Sequence, residues 1–78
     1  MKKSAPLADC IIDSMEKYFE DLNGQQPTNL FNFFISEVEK PFLKVVMEKV
    51  EGNQTKAADI LGINRNTLRK KLKQYQLS

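Results

Sequence analysis

The chain has 78 residues and a net charge of +2, with one cysteine and no histidine. So short a chain buries a limited core and usually needs a further source of stability. One cysteine cannot form an intramolecular disulfide, and the commonest zinc sites use histidine, so a partner chain is the expected source. Residues 1–51 hold six lysines against nine acidic residues, a net charge of −3, whereas residues 52–78 hold six basic residues against Asp59 alone, a net charge of +5. The C-terminal third is therefore expected to face a polyanion.

Residues 1–6 are predicted to form a flexible N-terminal tail. The stretch around Cys10 superficially resembles a lipoprotein cleavage site, but the run of apolar residues that defines a signal peptide is missing, and Asp9 and Asp13 interrupt the apolar pattern. No apolar run approaches membrane-spanning length either. The sequence predicts a cytoplasmic protein without a membrane partner.

The segment 7–22 is predicted to be an amphipathic helix that ends at Asn23 and Gly24. Its apolar face would consist of Leu7, Ile11, Met15, Tyr18, Phe19 and Leu22. The acidic residues of this segment lie largely on the other faces, at the spacing of a solvated helix surface.

The second predicted helix, Leu30 to Val50, has more apolar residues than one buried face needs. Twelve of its 21 residues are apolar, whereas a helix with one buried face needs roughly nine. Burial from a second side is expected in a twofold homodimer, and the alternative is that the C-terminal helices cover the excess within one chain. Pro41 is expected to kink this helix without ending it. The predicted dimer core consists of Phe31, Phe34, Ile35, Val38, Phe42 and Val46.

Residues 52–78 have the pattern of two short helices joined by a tight turn. Asn53 and Asn64 stand where N-caps are expected, and Gly62 can take the left-handed conformation that a sharp helix exit requires. The packed faces are predicted to be Ala57, Ala58, Ile60 and Leu61 in the first helix and Leu68, Leu72 and Tyr75 in the second. Small residues at the crossing favour a DNA-binding helix-turn-helix, and the alternative is an ordinary helical hairpin with a solvated basic face.

The second of these helices would be the recognition helix. Arg65 is the predicted base reader, because its planar donor fork matches guanine O6 and N7. Asn64 could contact a base edge or simply cap the helix, and Lys71 lies nearer the packed face. The predicted contacts to the DNA backbone are Asn53, Thr55, Thr67, Arg69, Lys70 and Lys73. Few base contacts and many phosphate contacts predict a degenerate sequence preference that depends on how easily the DNA bends.

Four segments resemble the Fis family of bacterial nucleoid proteins: LNGQ at 22–25, EVEKP at 37–41, GNQT at 52–55 and GINRNTLRKKLKQY at 62–75. The resemblance covers residues 7–77. It implies an all-α fold of four helices per chain, in which residues 7–51 form the core of an intertwined homodimer and residues 52–78 form the helix-turn-helix, together one compact domain. It also implies that two recognition helices enter adjacent major grooves of double-stranded DNA and bend it.

The roles that the resemblance implies are nucleoid organisation, regulation of transcription and assistance to site-specific recombination, with RNA polymerase or a recombinase as further partners. Two departures from the family pattern qualify this. Only six residues precede Leu7, where longer family members carry a mobile arm that touches a recombinase. Glu51 and Gln74 stand where the best-known members have basic residues, so fewer flanking contacts and a shallower bend are expected.

Two rival interpretations stay open at this point. The DNA-binding domain of an NtrC-type enhancer-binding activator shares this helix-turn-helix, although the start at Met1 without an ATPase domain disfavours it. A helical adaptor could instead bind a protein through its acidic first half. An enzyme is not expected, because histidine and a glycine-rich phosphate loop are absent from the sequence. No cofactor and no metal site are predicted.

Overall fold

The computed structural model describes residues 6–77. Within them lie four helices: α1 (Pro6–Leu22), α2 (Leu30–Lys49), α3 (Gln54–Leu61) and α4 (Arg65–Gln74). No strand occurs in that range, so the predicted all-α fold is confirmed. Residues 1–5, most of the predicted tail, lie outside the described residues. The chain divides into two compact units, one ending at Leu30 and the other beginning at Phe31.

The first unit is built on helix α1. The rings of Tyr18 and Phe19 pack edge to face, with centroids 5.8 Å apart. Asn23 and Gly24 both take the left-handed conformation after the last turn, with φ of 59° and 87°, as expected of a helix that stops at this dipeptide. Leu7, Ile12 and Phe19 stay exposed.

Helix α2 is one continuous helix with Pro41 inside it, which agrees with the prediction of one helix rather than two. Its C-terminal half packs into the core of the second unit, where Leu43 and Val50 are buried. A different face of the same helix remains exposed, including Phe31 at 76% and Phe42 at 55% of their full exposure. The two C-terminal helices therefore cover one apolar face of α2 and leave another open.

The core of the second unit joins α2, α3 and α4. Two leucines of α4, Leu68 and Leu72, are fully buried against the small residues Ala57 and Ala58 of α3. Burying one leucine side chain contributes about 1.5–3 kcal/mol. Around this centre pack the partly buried side chains of Val46, Met47, Leu61, Ile63, Tyr75 and Leu77.

The turn between α3 and α4 has the predicted geometry. Gly62 takes φ 72° and ψ 30°, and its N–H donates to the Ala58 carbonyl over 2.9 Å. The N–H of Ile63 donates to the same carbonyl over 3.1 Å, and its side chain packs on the core. This turn brings the N-termini of α3 and α4 to the same side of the unit, where the Arg65 side chain reaches Thr55.

Candidate nucleic-acid interface

The N-terminus of α3 is capped by Asn53, as the sequence predicts. The Asn53 Oδ1 atom accepts a hydrogen bond from the Lys56 backbone N–H over 3.1 Å. Thr55, in the first turn, is exposed. A helix N-terminus with its free N–H groups favours anions such as phosphate.

Asn64 caps α4, which settles one of the two roles left open for it. Its Oδ1 accepts from the Asn66 N–H over 2.7 Å. The cap uses only the carbonyl oxygen of the side chain, so the amide can still donate to an acceptor such as a base edge. Capping and base contact are therefore compatible at this position.

Arg65 is exposed in the first turn of α4 and is held by a contact across the turn. Its Nη1 donates to the Thr55 hydroxyl over 3.3 Å. The predicted base reader and one of the predicted backbone-contacting residues therefore lie side by side. Arg65 has further guanidinium N–H donors, since arginine carries five.

The face of α4 opposite Leu68 and Leu72 carries most of the charge. Asn66, Arg69, Lys70 and Lys73 line one stretch of surface and are all exposed. Thr67, also predicted to contact the DNA backbone, is exposed in the first turn. The structure thus places the three basic residues predicted for phosphate contact on one surface.

Lys71 belongs to a different cluster, formed with Glu39 and Tyr75, that was not predicted from the sequence. Its Nζ donates to Glu39 Oε2 over 2.9 Å, and the Tyr75 hydroxyl donates to Glu39 Oε1 over 2.6 Å. The hydrogen bond from Tyr75, with that from Lys71, lowers the pKa of the Glu39 carboxyl below its ordinary 4.5. The carboxylate in turn raises the pKa of Tyr75 above its ordinary 10.0.

The residues predicted for the dimer core fall on different surfaces of α2. Phe31, Ile35 and Phe42 are exposed, while Phe34 and Val38 are partly buried. Val46 packs against the core of its own chain. Val45, which the prediction omitted, is 51% exposed.

Neither a membrane span nor a metal centre is found in the part of the chain that the structure describes. No helix within residues 6–77 is long and apolar enough to cross a bilayer. Over the same range, no group of three or more histidine, cysteine, aspartate or glutamate side chains could hold a metal ion.

Residues 34–75 match the family of bacterial regulatory proteins described as the Fis family. A Fis-like DNA-binding protein of Ralstonia nicotianae is 50% identical over 72 residues, which cover 92% of this chain and 94% of that protein. The chain belongs to the Fis family. The DNA-binding protein Fis of Psychromonas ingrahamii is 53% identical over 70 residues, covering 90% of this chain and 71% of that protein. The DNA-binding protein Fis of Proteus mirabilis is 48% identical over 73 residues, covering 94% and 74% respectively.

The Fis-family match contains every residue described above as a candidate DNA contact. It begins within α2 and ends at Tyr75, so it includes both helix caps, the Arg65–Thr55 hydrogen bond and the basic face of α4. Glu39, Lys71 and Tyr75 also lie within it. The resemblance stated from the sequence is thereby confirmed.

Proposed function

We propose that the chain is a homodimeric DNA-binding protein that bends DNA and has a degenerate sequence preference. Its role would be that of a nucleoid-associated regulator of transcription in the cytoplasm, with RNA polymerase or a recombinase as further partners. The observation that carries the proposal is the exposed basic face of α4 next to the restrained Arg65.

Membership of the Fis family supports DNA as the ligand, since relatives about half identical to this chain carry the name DNA-binding protein. The basic face supports it physically. Arg69, Lys70 and Lys73 can neutralise phosphates. Asn64 and Arg65 lie at the N-terminus of α4, and the N-terminal residues of a recognition helix are the ones that contact base edges. With few base-reading side chains, much of the discrimination would come from DNA deformability.

The exposed face of α2 supports the homodimer. Phe31, Ile35, Val38, Phe42 and Val45 follow one another at spacings of four, three, four and three residues. That is the spacing of the apolar seam at which two helices pack together. A seam of this kind, with four of its five members exposed in one chain, suits a second copy of α2.

The proposal can be tested by fluorescence anisotropy with a duplex that carries guanine-containing half-sites around an A·T-rich centre, and with a G·C-centred control. Three basic residues per protomer predict six phosphate contacts per dimer and a slope of log K against log salt of about −5. The A·T-rich centre should bind more tightly. Absent binding at low salt would overturn the proposal and favour a protein-binding adaptor.

A further inference from the structure

Glu39 connects two helices that have different roles in the proposed function. It lies in the middle of α2, and its two carboxylate oxygens accept from Lys71 of α4 at 2.9 Å and from Tyr75, the C-cap of α4, at 2.6 Å. The partners are 32 and 36 positions further along the chain. Glu39 therefore holds the C-terminal half of the proposed recognition helix on the helix of the proposed dimer seam.

This attachment fixes more than one degree of freedom. Lys71 and Tyr75 are four residues apart, and the Tyr75 N–H still bonds the Lys71 carbonyl, so the two side chains project from one side of the C-terminal end of α4. Two bonds from one carboxylate to two successive turns restrain both the rotation of α4 about its axis and its position along α2. A single bond would restrain α4 less.

The apolar core restrains α4 through packing alone, and packing tolerates some scatter in the angle between two helices. Contacts of Leu68 and Leu72 with the alanines of α3 are favourable but not directional, since hydrophobic burial depends on area. Hydrogen bonds to a charged group are both directional and strong. The side chains of Lys71 and Glu39 are 33% and 26% exposed, so water competes with their ion pair less than at an open surface.

We propose that Glu39 is a positioning residue that sets the angle between α2 and α4, and through it the half-site spacing that the dimer reads. The inference rests on the proposed function. In a twofold dimer built on the α2 seam, both recognition helices are carried by their own copy of α2. Their separation, which decides the spacing of half-sites on DNA, then follows from that angle.

The same contact assigns Lys71 a role different from that of its neighbour Lys70. The Lys71 ammonium is engaged by Glu39 on the α2 side of the helix, whereas Lys70 faces solvent with Arg69 and Lys73. Lys71 is a positioning residue that acts through Glu39, and its charge is already balanced before DNA is bound.

The test is the spacing preference of a Glu39→Gln variant. Glutamine keeps the size of the side chain but removes its charge, so the Lys71 ammonium loses its ion pair. The amide nitrogen can meet the Tyr75 hydroxyl only if that hydroxyl turns from donor to acceptor, so neither hydrogen bond keeps a charged acceptor. The full chain is titrated by anisotropy into duplexes whose two half-sites are moved apart in steps of one base pair. The matched control is Glu48→Gln, which removes the same charge from α2 and breaks the exposed Lys44–Glu48 pair at 3.0 Å.

The wild-type chain and Glu48→Gln should show a spacing optimum. In Glu39→Gln, the ratio of affinities between the best and next-best spacings should fall by about ten-fold, the scale of one lost charge-assisted hydrogen bond. Ultracentrifugation and circular dichroism confirm that each variant is a folded dimer. A residue that only stabilised the fold would lower the melting temperature and leave the spacing profile unchanged.

Three outcomes count against the inference in different ways. A folded Glu39→Gln dimer with the wild-type profile overturns it while leaving the proposed function intact, as does a wild-type chain that binds DNA at all spacings equally. A wild-type chain that binds none of the duplexes overturns both. If Glu39→Gln does not fold, Tyr75→Phe decides by the same measurement, because it removes only the hydroxyl that donates to Glu39.

Discussion

The Arg65 guanidinium donates a hydrogen bond to the Thr55 hydroxyl over 3.3 Å, and so joins the first turn of α4 to the first turn of α3. Ordering a long arginine side chain costs up to about 2 kcal/mol of rotamer entropy. Because Thr55 already restrains the guanidinium in the free protein, less rotamer entropy is lost when Arg65 binds DNA. Thr55 would then help Arg65 read a base as well as contact the DNA backbone.

The first prediction concerns base reading by this pair. Arg65→Ala should weaken binding to a preferred site by about 1–3 kcal/mol and flatten the ranking of sites. Thr55→Val should change the ranking in the same direction by about 1 kcal/mol, because one hydrogen bond to the guanidinium is lost. Anisotropy titrations over a panel of half-sites measure both effects. Thr55→Ser, which keeps the hydroxyl, is the control, and a wild-type ranking in Arg65→Ala would contradict the base-reading role.

The second prediction contrasts two neighbouring lysines of α4. Lys70→Ala should weaken binding to all sequences and reduce the steepness of the salt dependence by about one unit, because one phosphate contact is lost. Lys71→Ala should leave the salt slope about unchanged and lower the melting temperature, because Lys71 is paired with Glu39. Equal changes of slope in the two variants would show that Lys71 also contacts phosphate.

The third prediction concerns the apolar seam on α2. Phe42 is 55% exposed in the single chain, so Phe42→Asp should spare the fold of the protomer and weaken the dimer by about 2 kcal/mol or more, as at an interface hot spot. Sedimentation equilibrium measures the change. Ile60→Asp is the matched control, since Ile60 lies on α3 and is 63% exposed, contrary to the prediction that it packs in the core. If Ile60→Asp dissociates the dimer and Phe42→Asp does not, the interface does not lie on the exposed face of α2.

The fourth prediction concerns pH. Because the folded state lowers the pKa of Glu39 below 4.5, the stability from its contacts is fully present above that pH and is lost as the pH falls through the lowered pKa. The pKa of Tyr75 is raised above 10.0, so its contribution is complete below that pH and is lost as the pH rises through the raised value. Urea unfolding at a fixed protein concentration should show that the free energy of unfolding falls less steeply toward acid pH in Glu39→Gln than in the wild-type chain. Glu48→Gln is the control. Equal falls in Glu39→Gln and the wild-type chain would argue against a stabilising Glu39 carboxylate.

The local parts of the interface could be predicted from the sequence. Asn53, Gly62 and Asn64 were placed correctly because a cap or a left-handed turn depends on the residue itself and on backbone groups within five positions. The buried stripe of Leu68 and Leu72 follows equally directly from helical spacing. These features orient the recognition helix relative to α3.

The orientation of α2 relative to α4 could not be predicted in this way. Composition showed that α2 has excess apolar residues, but the choice of Val46 for the internal core and Val45 for the exposed face depends on the packing angle between helices. The same angle decides that Glu39 meets Lys71 and Tyr75. No local rule relates residues that are more than thirty positions apart.

The separation of these contacts along the chain has a consequence for the order of folding. The Arg65–Thr55 bond closes a loop of ten residues, whereas the Tyr75–Glu39 bond closes one of 36. Closing the longer loop costs about 1 kcal/mol more chain entropy, and local contacts generally form faster. The α3–α4 pair should therefore form first and α2 should attach last. During partial unfolding α2 would detach first. The Glu39 contacts proposed to set the half-site spacing would then be lost before the α3–α4 helix-turn-helix unfolds.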